Sequence, residues 1–67
     1  MELQFITTAE EVICSIRISD AYFPSVGDTL DLYDDSGNCN YLRITGRKFR
    51  YNQDQKLYQI TYYCEDM

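Results

Sequence analysis

Apolar residues in this chain recur at every second position rather than at helical spacing, a pattern that commits it to pleated strands with one buried face. Leu3 and Phe5 share a face of a first run. Val12, Cys14, Ile16 and Ile18 share a face of a second, with Glu11, Ser15 and Arg17 on the other. Leu30 and Leu32 alternate with Thr29, Asp31 and Tyr33 in a third, and Tyr58, Ile60, Tyr62 and Cys64 share a face of the last. One stretch carries a competing signal: Thr8-Ala9-Glu10-Glu11 fits a helix capping box, and Val12, Ile13 and Ile16 would line a short helix. The density of β-branched residues there favours the strand.

Turn formers separate the runs. Pro24 and Gly27-Asp28 break the stretch from Ser19 to Gly27, Asp34-Asp35-Ser36-Gly37-Asn38 makes a hairpin connection, and Asn52-Gln53-Asp54-Gln55 makes the last turn. The long run from Asn40 to Tyr51 changes parity, because Leu42 and Ile44 are even whereas Phe49 and Tyr51 are odd. One residue must be absorbed between them, and Gly46 marks the place as a bulge or bend. The spacing predicts one all-β domain over residues 1–67, a five-stranded antiparallel meander closed by that bend into a small SH3-like or OB-like barrel.

Strand five sharpens the expectation of closure. Leu57 to Tyr63 carries no charge and no proline, the profile of a segment that aggregates when left open, so it must pair on both sides or be covered by a partner chain. At 67 residues the chain has room for one core only.

Phe23-Pro24-Ser25-Val26-Gly27-Asp28-Thr29-Leu30-Asp31-Leu32, then Tyr41-Leu42-Arg43-Ile44-Thr45-Gly46-Arg47-Lys48-Phe49-Arg50-Tyr51 and a closing aromatic strand, follow one another in order. Over residues 3 to 64 this succession resembles short uncharacterised proteins of Bacteroidetes bacteria and their phages. The resemblance implies an SH3-like barrel and a phage or mobile-element setting, and it implies no catalytic residues.

Charge is unevenly distributed. Residues 41–51 hold Arg43, Arg47, Lys48 and Arg50 and no acid, a local +4, while the rest of the chain carries −9. With the bulge at Gly46, Arg43, Lys48 and Arg50 are expected to point away from the core as a basic stripe near Tyr41. Such a stripe suits single-stranded nucleic acid, with phosphates on Arg43, Arg47, Lys48 and Arg50 and bases stacked on Tyr41 and Tyr51. The opposing reading is cross-strand pairing with acids such as Asp31 and Glu65, and a net charge of −5 works against polyanion binding. The acids themselves read as a solubilising surface or as mimicry of a phosphate backbone. Asp31 to Asn38 does not keep the spacing of a calcium loop.

Seven tyrosines exceed what so small a core can bury with partnered hydroxyls, so several are expected at an interface. Tyr22, Phe23 and Tyr63 are the candidate partner contacts, with Phe23 alternatively a plug for one end of the barrel. Cys14, Cys39 and Cys64 have no C-x-x-C spacing and no histidine beside them, which argues against a metal and for reduced thiols, a Cys14–Cys64 disulfide being the alternative. No nucleotide loop, nucleophile–base pair or metal set is present, and no cofactor or small-molecule substrate is expected. The apolar runs are too short to span a membrane, and Met1-Glu2-Leu3-Gln4 lacks a basic secretory start. The expectation is a cytoplasmic, non-enzymatic module that docks to another protein or to a second copy of itself, with nucleic-acid binding as the alternative.

Overall fold

The structure, a computed structural model, describes residues 1–7, 9, 11–17, 23–34 and 36–67. Five strands form a single sheet: β1 (Glu2–Thr7), β2 (Val12–Arg17), β3 (Thr29–Tyr33), β4 (Cys39–Tyr51) and β5 (Leu57–Asp66). Among the described residues there is no helix, and the stretch with the capping-box pattern leads into β2 instead.

The strand order is β2-β1-β5-β4-β3, with β1 and β5 parallel and the other three pairs antiparallel. This corrects the expected closed antiparallel meander. Three consecutive pairs form as a meander requires, and β5 returns to β1, where an odd number of alternating strands forces the two to run parallel. The missing contact is β2 with β3. The sheet is therefore mixed, curling into an open half-barrel with β2 and β3 at its edges. The uncharged β5 is flanked by β1 and β4, so both its edges are paired within the chain.

Register explains which residues meet in the core. Ile16, Leu3, Ile60 and Phe49 form one row across β2, β1, β5 and β4, and Cys14, Phe5, Tyr62 and Arg47 form the next. Leu3, Phe5, Leu42, Ile44, Ile60, Tyr62 and Cys64 are buried together, and each large apolar side chain so buried contributes roughly 1.5–3 kcal/mol. Phe5 and Tyr62 stack at 5.2 Å between ring centroids. Ile6 is buried outside this cluster, on the opposite face, where Val12 and Tyr63 flank it in register. A register shift between Phe5 and Ile6 carries Val12 onto that face, away from Cys14 and Ile16, with which its parity groups it. Ile18 lies outside the described residues.

The parity change in β4 is a register shift between Ile44 and Gly46. The hydroxyl of Thr45, the extra residue, donates to the Tyr63 carbonyl at 3.2 Å. Gly46 does not have a positive φ, and a Cβ there would lie 3.6 Å from Tyr63 Cδ2 in ordinary contact. The glycine thus leaves the Tyr63 side chain resting on bare backbone, and the bend itself does not demand glycine.

Two turns share one design. Asp34 and Asn52 each accept two backbone N–H groups on a side-chain oxygen, from Ser36 and Asn38 and from Asp54 and Lys56. Each turn places its fourth residue at positive φ: Gly37 at 84° in the first and Gln55 at 62° in the second.

Candidate interaction surfaces

The Phe23-to-Asp28 segment closes over the core face. Phe23 is half-buried against the core cluster, the plug arrangement rather than an outward one. Pro24 offers its carbonyl to the Tyr62 hydroxyl at 2.9 Å and to Arg47 Nη1 at 3.4 Å. Gly27, at φ 97°, turns the chain so that its N–H reaches the Ile44 carbonyl at 2.9 Å, and Asp28 accepts the Ser25 N–H at 2.7 Å. This segment thus forms a clasp between the loop, β4 and β5. Burial, opposed by the guanidinium of Arg47, raises the pKa of Tyr62 above its ordinary value. Tyr22 lies outside the described residues.

The opposite face of β4 carries the cations. Arg43, Lys48 and Arg50 oppose Glu65, Thr61 and Gln59, none of which belongs to the core cluster, whereas Arg47 opposes Tyr62 and sits 5.1 Å from the centre of the Phe49 ring. Arg47 is therefore on the core side, apart from the other three cations of the proposed nucleic-acid set. Tyr51, on the same side as Phe49, lies opposite Leu57, itself packed on the core. Tyr41 is 61% exposed on the cationic face, and Tyr63 is half-buried there over Gly46. Tyr33, which alternation alone would have added to the stripe, shares this face opposite Cys39.

Acids and amides interleave with those cations. Glu65 lies directly across from Arg43, and Asp31 across from Tyr41. Arg50 Nε donates to Thr61 Oγ1 at 3.3 Å, Thr61 donates on to Gln4 at 3.5 Å, and Gln59 donates to the Glu2 carboxylate. Neighbouring Cys39, and after it Asp31, raise the pKa of Tyr41. The face is a mixed polar ladder across four strands.

The two edges differ in kind. β3 is guarded by acids, with Asp31 within it and Asp28 and Asp34 at its ends. β2 carries no charge from Val12 to Ile16, and Val12 and Ile16 are 57% and 38% exposed. Among the described residues no strand pairs with its outer side. The absence of charge is visible in the sequence, but alternation assigned these side chains to a core and gave no sign that the strand is an edge.

A surface hollow of ≈ 420 Å³ is lined by Met1, Glu2, Arg17, Leu57 and Tyr58, and its one carboxylate accepts from Gln59. Among the described residues no group of His, Cys, Asp or Glu is arranged to hold a metal, and no helix is long and apolar enough to cross a membrane. The cysteines form no disulfide, and burial pushes the Cys64 thiol up to about 11, with Cys14 adding to the effect. No protein-family profile, curated protein or solved structure matches this chain.

Proposed function

We propose that this protein is a non-enzymatic interaction module, phage or mobile-element encoded and cytoplasmic, that docks through an edge of its open sheet. The observation that supports this reading is the contrast between the two edges. An exposed apolar strand without charge is a template for pairing, and proteins that do not use such an edge blunt it with charge, proline or a bulge. β3 is guarded by acids, whereas the run from Val12 to Ile16 carries neither charge nor proline and is interrupted only by the bulge at Ile13. A photo-crosslinking residue at Ser15 on the β2 edge, compared with one at Asn52 in the distal turn, tests the reading. Adducts specific to position 15, with another protein or with a second copy, are expected, and equal patterns at the two positions would sink it.

A second reading, single-stranded nucleic-acid binding, is favoured by one observation: Tyr41, Arg43, Lys48 and Arg50 share an outward face. Binding of a labelled oligonucleotide at low salt, lost when Arg43, Lys48 and Arg50 become glutamine, would promote it over the first. The acids interleaved on that face favour the first reading.

A further inference from the structure

Resting on that reading, we infer that the occupant of the β2 edge is a second copy of the same edge, paired antiparallel about a two-fold axis. The argument begins with the charges at the two ends of the strand. Glu11 precedes β2 and Arg17 ends it, with nothing charged between. A parallel copy sets Glu11 beside Glu11 and Arg17 beside Arg17. An antiparallel copy brings each Glu11 toward the Arg17 of the other chain, twice over, so the strand is complementary to itself in one orientation only.

Side-chain direction then selects the register. Cys14 and Ile16 share the core face, opposite Phe5 and Leu3, while Ser15 and Arg17 face the other way, opposite Gln4 and Glu2. A copy that keeps apolar side chains together must set even against even, since a slip of one residue inverts every face. A two-fold through Ser15 sets Cys14 against Ile16 of the second copy, and the bulged Ile13, which packs on the core, ends the regular ladder there. Glu11, just beyond the bulge, lies at the same end of the paired strands as the partner's Arg17, so the end charges attract without forming a registered pair.

This arrangement joins the two cores. The row Phe49, Ile60, Leu3, Ile16 continues into Cys14, Phe5, Tyr62 and Arg47 of the second copy, and covers the exposed side of Ile16. The paired chains become one ten-stranded sheet whose two outer edges are the acid-guarded β3 strands.

Sedimentation of the full chain over a concentration series tests the inference, with a species of twice the 7.9 kDa monomer mass expected. Glu11→Arg and Arg17→Glu each set like charges together in a homodimer, so each variant alone should dimerise at least tenfold more weakly. An equimolar mixture of the two restores both opposite-charge contacts and should recover the dimer as a heterodimer, which also shows that both variants fold. Ile16→Lys should remain monomeric with an unchanged far-ultraviolet spectrum. A wild-type chain that is monomeric throughout, or a mixture that does not recover, overturns the inference. Specific adducts of a Ser15 crosslinker with a different protein, on a monomeric chain, would leave the interaction-module reading standing while removing self-pairing.

Discussion

The hydroxyl of Tyr62 donates to the carbonyl of Pro24 across 2.9 Å, so the central strand of the sheet holds down the loop that covers its own core. Both partners are fixed by other contacts: Tyr62 stacks on Phe5, and Arg47 donates to the same carbonyl. Tyr62→Phe removes the hydrogen bond and keeps the stacked ring. It should cost about 1 kcal/mol in urea unfolding, while Phe5→Ala, which empties the stack, should cost about 3–5 kcal/mol. Equal losses in the two variants would contradict this division of labour.

Stability should fall in alkali. Cys64 is raised by burial from 9.0 to about 11, so the folded chain keeps a proton that the unfolded chain releases. Its contribution, on the order of 2–3 kcal/mol, is complete below pH 9 and is lost as pH rises through about 11. Tyr62, also raised mainly by burial, acts in the same direction at higher pH. Urea midpoints that stay flat from pH 8 to about 11 would contradict the assignment.

The same burial should protect Cys64 from chemistry. Cys64 is buried, whereas Cys39 is half-buried beside a turn. With iodoacetamide at neutral pH, Cys39 should be modified well before Cys64, and the difference should vanish in denaturant. Peptide mapping of a time course decides it.

Gln55 occupies, at φ 62°, the position that Gly37 fills in the sister turn. A left-handed conformation costs a non-glycine residue roughly 1–2 kcal/mol, part of which glycine gives back through the greater freedom of its unfolded chain. Gln55→Gly should therefore stabilise the protein by about 0.5–1 kcal/mol. No gain in the urea midpoint would mean that the Gln55 side chain compensates for its backbone.

Glycines at the two ends of the clasp should respond in opposite ways. Gly27, at φ 97°, admits no side chain without strain, and Gly27→Ala should cost about 1 kcal/mol or more. Gly46→Ala meets only Tyr63 at ordinary contact distance and should be tolerated within about 0.5 kcal/mol. Comparable losses at both sites would show that the bulge needs glycine after all.

Much of this molecule was legible along the chain because strands and turns are local. Alternation marks all five strands, and the parity break between Ile44 and Phe49 requires one extra position, since a pleat cannot change face without it; the sequence points to Gly46, and the extra residue is its neighbour Thr45. The site was less legible. Arg47 and Arg50 are three residues apart in one basic run, yet one lies over Phe49 on the core side and the other donates to Thr61 on the far side. Tyr51 lies on the Phe49 side, as its parity implies, and the second register shift skips Tyr58 on β5, for which the sequence carries no marker.

What the sequence by itself determined is the set of elements and most of the faces they bury, Val12 being carried to the other face by a bulge, because period-two alternation, Pro24, Gly27 and Asp34 act through their immediate neighbours. What only the tertiary structure decided is which edges are left over. The parallel union of β1 with β5 joins residues more than fifty positions apart, and the gap between β2 and β3 follows from a pairing that did not form. Neither depends on any local preference. A strand pairs where the curvature of the whole sheet brings an edge within hydrogen-bonding distance, and that distance is a property of all five strands together.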